Sequence, residues 1–118
     1  MSQPRRHALL AVNPGHSRPI YEVLRRAGYS VTACWSGLDA LRVLDEQDDV
    51  CLVVAETNLP GVGGFALVRQ YLASDLEGRA VLFQAGSGEM PRAAFPRLTV
   101  LMAGAPPEAV LSALPPAT

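Results

Sequence analysis

Short apolar segments alternate along the chain with longer segments in which apolar residues recur every three or four positions. The short segments predict five β-strands, at residues 7–12, 29–34, 50–55, 80–83 and 98–102. Segment 50–55 is apolar without interruption, which is typical of a central strand buried on both faces. The longer segments predict helices at about 17–27 with Ser17 as the cap, about 38–49 ending in an acidic run, about 65–74, and 107–114.

The alternation of strands and helices predicts a parallel sheet with right-handed crossovers and helices on both faces. Five such units favour a doubly wound α/β fold of the flavodoxin-like type, with strand order 2-1-3-4-5 and a site at the carboxyl ends of the strands. Residues 86–97, between the last two strands, contain two prolines. They leave room for only about two helical turns, so we expect a shortened fourth helix.

Length and charge limit the possible functions. The 118 residues suffice for one domain, which we expect to span 1–118 with flexible ends at about 1–6 and 115–118. A formal net charge of −1 provides no overall field to attract nucleic acid or an anionic membrane. No apolar run is long enough for a signal peptide or membrane span, and the two cysteines lie inside apolar runs without metal-ligand spacing. We therefore expect a cytoplasmic protein without a cofactor.

Three local patterns resemble the receiver domain of two-component response regulators. Asn13-Pro14 after the first strand resembles the family's aspartate-aspartate-asparagine-proline turn, and Ala27-Gly28-Tyr29 closes the first helix at the family's usual distance. The segment 59–65, with the sequence LPGVGGF, resembles the loop that follows the phosphorylated strand. The resemblance implies the flavodoxin-like fold and a site for phosphoryl transfer to an aspartate, assisted by a divalent cation.

The same resemblance places unsuitable residues at the cation site. Counting back from Asn13-Pro14, the family's acidic pair falls on Ala11 and Val12, neither of which can coordinate a metal. The phosphoacceptor position, three residues before Leu59-Pro60, falls on Glu56. Glu56 therefore either imitates the charged state permanently or is only a solvated carboxylate at a strand end.

Two further family positions have also lost their functional groups. The hydroxyl residue at the end of the fourth strand falls on Ala85, and the lysine at the end of the fifth strand falls on Ala103, or on Ala105 with a shifted gap. The sequence contains no lysine at all. The resemblance therefore implies a degenerate receiver that is not phosphorylated.

Other candidate groups lack the partners that chemistry would need. His7 and His16 have no nucleophile or carboxylate at a readable spacing and are interpreted as surface histidines. The turn at 86–88 could hold an anion at a helix N-terminus, but without the longer P-loop spacing it is interpreted as a plain turn.

The C-terminal third has an unusually apolar surface. Between 93 and 118 only Arg97 and Glu108 are charged, and the last predicted helix is apolar nearly all round. In the receiver family that the sequence resembles, this region contacts protein partners or a second copy of the domain. We expect a protein-binding surface formed by Phe95, Val100, Met102, Val110, Leu111 and Leu114.

The leading interpretation is a phosphorylation-independent signalling adaptor that binds a protein partner or forms a homodimer and is not an enzyme. The alternative is a small ligand-binding or enzymatic domain that uses the carboxyl ends of the strands, with Glu56 and Ser87 as its only polar candidates.

Overall fold

The structure, a computed structural model, describes residues 6–75, 77–84, 97–102 and 104–114. The elements follow in the order β1 (His7–Ala11), α1 (Pro14–Arg26), β2 (Ser30–Cys34), α2 (Gly37–Glu46), β3 (Val50–Glu56), α3 (Gly64–Ser74), β4 (Arg79–Gln84), β5 (Leu98–Met102) and a 3₁₀ helix (Pro107–Ala113).

The five strands form one parallel sheet in the order β2-β1-β3-β4-β5. This confirms the predicted flavodoxin-like topology, with its reversal between β1 and β3. The expected short fourth helix falls within 85–96, outside the described residues, as do the ends 1–5 and 115–118.

Alternating side chains of the strands build a hydrophobic core on each face of the sheet. Leu10 of β1 and Val12, directly after β1, point to the face covered by α1 and the 3₁₀ helix. Leu9 and Ala11 point to the opposite face, which contains side chains of α2 and α3 such as Leu67. The period of two along a strand thus explains why helices lie on both faces.

Helix α1 has its cap four residues earlier than the sequence predicted, at Asn13 instead of Ser17. The side chain of Asn13 accepts a hydrogen bond from the N–H of Gly15, which makes Asn13 the cap. Pro14 occupies the first helical position, where its missing N–H costs nothing. The prediction that Ser17 caps the helix is wrong, because Asn13 already satisfies the start of the helix. Pro19 lies inside α1, on its exposed side.

The last helix is a 3₁₀ helix, and the prediction placed it one residue longer, at 107–114. With three residues per turn, Val110 and Ala113 share one side and Leu111 and Leu114 share the next. Val110 and Ala113 are buried against the sheet and α1, whereas Leu111 is 42% exposed.

Arg97 anchors the start of β5. Its guanidinium donates to the carbonyl oxygens of Leu72, Asp75 and Gly78, which lie at the end of α3 and in the following turn. A cation at a helix C-terminus is favourable because the helix carries partial negative charge there. The side chain therefore ties the edge strand to α3. In the described ranges, no helix is long and apolar enough to cross a membrane.

Candidate functional site

The candidate site lies where β1 and β3 end side by side. Ala11 and Val12 are 0% and 2% exposed and have no group that could ligate a cation. Val12 points to the α1 face and Ala11 to the opposite face. Over the described residues there is no group of three or more His, Cys, Asp or Glu side chains that could hold a metal ion. The structure therefore places two apolar side chains at the positions where the family resemblance locates the acidic pair.

Glu56 is the last residue of β3, and its carboxylate points toward the start of α1. Oε1 accepts a hydrogen bond from the backbone N–H of Asn13 at 2.6 Å. Oε2 lies 3.5 Å from Nδ1 of His16, and the Glu56 side chain is only 17% exposed. The carboxylate is therefore partly buried and hydrogen-bonded at the end of the strand, rather than fully solvated.

His16 was missed as a site residue. It was interpreted as a surface histidine, and its side chain is indeed 70% exposed, yet it approaches Glu56 across 40 positions of sequence. The signal that could have identified it is topological: β1 and β3 are neighbours in the predicted order, so the residues that follow both strands must meet.

A cavity of about 380 Å³ opens beside Glu56, between the start of α1 and the turn after β5. Its polar lining groups come from Asn13, His16, Glu56 and Asn58. The apolar part of the lining is formed by Val12, Pro19, Ile20, Phe83, Ala105 and Pro107, with Gly15 and Gly104 completing the wall. Ala105, the alternative lysine position, thus lies at the cavity. Ala85 and Ala103 lie outside the described residues, as does Ser87.

The loop after β3 is held against the site by close backbone approaches. A Cβ on Gly64 would lie 2.0 Å from the carbonyl oxygen of Glu56, and a Cβ on Gly37 would lie 2.2 Å from that of Val62. Gly61 has φ +80°, a conformation that side chains disfavour. These glycines let the loop pack on both the end of β3 and the start of α2, which fixes the position of Glu56.

The predicted protein-binding surface is only partly exposed. Met102 is 56% exposed and Leu111 is 42% exposed, while Val100 and Leu114 are partly buried. Val110 is 0% exposed and belongs to the core, so its assignment to this surface is wrong. Val110 and Ala113 lie three residues apart and share a side of the helix, and this side packs against the sheet and α1. Phe95 lies outside the described residues.

Two titratable groups away from the cavity are withdrawn from solvent, His7 almost completely and Cys34 in part. His7 is 8% exposed, which makes the surface interpretation wrong for it. Its Nδ1 lies 2.9 Å from Asp49 Oδ1 and its Nε2 lies 2.7 Å from Thr32 Oγ1, so both ring nitrogens are satisfied. Burial, together with the carboxylate of Asp39, raises the pKa of the Cys34 thiol to about 11, which keeps it protonated and unreactive at neutral pH.

Comparison of the sequence with protein-family models and with curated proteins found no match. Comparison of the structure with solved structures found many. A response regulator receiver protein from Sinorhizobium medicae superposes with a TM-score of 0.78 at 18% identity, covering 94% of this chain and 91% of that one. A response regulator receiver domain protein from Bacillus halodurans gives 0.74 at 18% identity, covering 97% of this chain and 100% of that one.

A chemotaxis response regulator of Vibrio cholerae is also similar, with a TM-score of 0.70 at 19% identity, covering 91% of this chain and 94% of that one. Sequence identity is below 20% in all three comparisons. The similarity therefore lies in the path of the backbone and not in the side chains. The chain thus shares the fold of response regulator receiver domains.

Proposed function

We propose that the chain is a degenerate receiver domain that acts in cytoplasmic signalling by binding a protein, without being switched by phosphorylation. One observation carries the proposal. At the position that would accept phosphate, the Glu56 carboxylate already accepts the N–H of Asn13 at 2.6 Å and lies 3.5 Å from His16.

The surroundings of Glu56 support the absence of phosphoryl transfer. Transfer to a carboxylate requires a cation to offset the charge on the incoming group. The positions beside Glu56 that would supply the ligands are occupied by the buried Ala11 and Val12. With no lysine in the sequence, the second positive group is also missing. We therefore assign the domain no enzymatic activity and no cofactor.

The permanent negative charge of Glu56 is an argument that the domain keeps one conformation. In a switchable receiver the charge at this place changes with phosphorylation. Here a carboxylate is permanent, and its hydrogen bond ties the end of β3 to the start of α1. The domain would accordingly present one surface at all times.

We place the protein-binding surface on β5 and the 3₁₀ helix. Leu111 and Met102 expose apolar side chains there, and β5 is an edge strand, paired only with β4 among the described strands. Exposed apolar groups next to a sheet edge favour association with another protein. A second copy of the chain is the simplest partner, because a two-fold interface uses the same patch twice.

The matched variants Leu111→Asp and Tyr21→Asp test this surface. Tyr21 is 39% exposed on α1 and serves as the control. Leu111→Asp should abolish self-association in sedimentation velocity, or partner binding if the partner is a different protein, whereas Tyr21→Asp should not. If the wild type stays monomeric at high concentration and Leu111→Asp still binds every native partner, the functional surface lies elsewhere.

A further inference from the structure

We propose that the cavity beside Glu56 binds a small organic cation, a primary or secondary amine attached to an apolar body the size of one aromatic ring. The site includes Pro107, the first residue of the 3₁₀ helix, but not the exposed side chains Met102 and Leu111 of the protein-binding surface. It adds a ligand to the proposed adaptor.

The shape of the cavity suits a small molecule. Its volume of about 380 Å³ lies at the lower end of the range for ligand pockets, roughly 300 to 1,000 Å³. Val12, Ile20 and Phe83 are buried and supply an apolar wall. Such a wall favours an aliphatic or aromatic body over a fully polar ligand.

The charge of the lining selects a cation. Of the described residues around the cavity, Glu56 is the one acidic residue, and neither lysine nor arginine is among them. An anion such as phosphate would be repelled by the Glu56 carboxylate, and among the described lining residues only His16 could compensate this repulsion. A neutral apolar ligand would remove water from the carboxylate without replacing its hydrogen bonds, which is unfavourable.

Glu56 retains the capacity to bind a donor. An ionised carboxylate offers about four lone-pair positions, and the Asn13 N–H occupies one of them. The approach of His16 to Oε2, at 3.5 Å, is too long to be a strong hydrogen bond. An ammonium group in the cavity could therefore donate to Oε2, and because the carboxylate is only 17% exposed, the attraction would be screened less than at the open surface.

The arrangement does not suit a metal ion. Divalent cations of the magnesium type take several oxygen ligands, and among the described lining residues one carboxylate stands beside two asparagine amides, the His16 imidazole and apolar carbons. An amine needs only one carboxylate and tolerates the apolar wall.

The test is a titration followed by amide NMR spectra, with three probes of the same shape and different charge. These are 2-phenylethylamine, the neutral 2-phenylethanol and the anionic 3-phenylpropionate. We expect the amine to shift the signals of Val12, Ile20 and Phe83. The alcohol should bind about tenfold more weakly, because it can donate to the carboxylate but lacks the positive charge that attracts the ammonium group. The anion should produce no shifts.

Three variants test which residues cause the preference for the amine over the alcohol. Glu56→Gln keeps the size of the side chain and should reduce the preference for amine over alcohol to within about twofold. Ala105→Leu fills the cavity from the turn after β5, without touching Glu56, and should abolish binding of both probes. Glu77 is exposed and lies just before β4, at the opposite end of the sheet from the cavity. Glu77→Gln should therefore leave the affinities for the amine and for the alcohol unchanged.

The proposal is overturned if the amine binds no better than the alcohol, if its shifts map away from the cavity, or if Glu56→Gln keeps the preference for the amine. Binding that survives Ala105→Leu would overturn it even if Glu56→Gln failed to fold. The titration measures neither phosphoryl transfer nor partner binding. A negative result would therefore contradict the proposed ligand without contradicting the proposed function.

Discussion

The carboxylate of Glu56 accepts a hydrogen bond from the backbone N–H of Asn13 at 2.6 Å. Asn13 in turn caps α1 through its own side chain, which accepts from the N–H of Gly15. The end of β3 and the start of α1 are therefore linked by consecutive hydrogen bonds. In a phosphorylatable receiver this position would have to bind a cation and a phosphoryl group instead.

Removal of the Glu56 carboxylate should destabilise the fold. Glu56→Ala should lower the free energy of unfolding by about 1.5 to 3 kcal/mol, the usual range for a hydrogen bond to a charged group. Glu56→Gln should cost less, because an amide oxygen can still accept from Asn13. Urea unfolding measures both, with Glu77→Ala as an exposed control expected to change stability by less than about 0.5 kcal/mol. Equal stability of Glu56→Ala and the wild type would show that the hydrogen bond contributes nothing.

Two adjacent glycines should respond very differently to alanine. A Cβ on Gly64 would lie 2.0 Å from the Glu56 carbonyl oxygen, so Gly64→Ala must displace backbone and should cost about 1 to 3 kcal/mol. A Cβ on Gly63 would lie 3.7 Å from the Thr57 carbonyl oxygen, an ordinary contact, and its φ of −66° suits alanine. Thermal unfolding of the pair tests the close approach. Similar midpoints for both variants would contradict it.

The Cys34 thiol should be protected and should make stability depend on alkaline pH. Its pKa is raised in the folded protein from about 9.0 to about 11, chiefly by burial. The unfolded thiol ionises first as pH rises, so the stability that Cys34 contributes is complete below about pH 9 and is lost as pH rises through about 11. The stability difference between wild type and Cys34→Ala should therefore shrink over this interval, as measured by urea unfolding at several pH values.

Alkylation provides an independent check of the same thiol. Iodoacetamide at neutral pH should modify Cys34 of the native protein far more slowly than Cys34 of the urea-unfolded chain, because the thiolate is the reactive form. Comparable rates in the two states would contradict the raised pKa.

The sheet could be predicted from the sequence because each strand is a short apolar run between turn residues. Segment 98–102 was predicted with its observed bounds, and β3 extends only one residue further than predicted. The start of α1 was missed because Asn13-Pro14 was interpreted as a turn after the first strand, whereas Pro14 occupies the one helical turn that tolerates proline. The type of the last helix could not be predicted, since residues three apart share a side in both α and 3₁₀ helices.

The candidate site was predicted in part. The motif spacing located Glu56, but its surroundings depend on which strands are neighbours and on side-chain rotamers. Asn13 and His16 reach Glu56 only after the sheet has formed, at sequence separations of 43 and 40. His7 was misassigned for a similar reason: its partners Thr32 and Asp49 come from parts of the chain that meet only in the sheet.

Incubation with acetyl phosphate and Mg²⁺, followed by intact-mass measurement, tests most directly the proposal that this domain is not phosphorylated. A phosphorylatable receiver domain treated in parallel shows that the phosphodonor is active. The mass of this protein should stay unchanged, because the buried Ala11 and Val12 offer no cation ligand beside Glu56. A gain of one phosphoryl group that disappears in Glu56→Gln would contradict the proposal that this domain signals without phosphorylation.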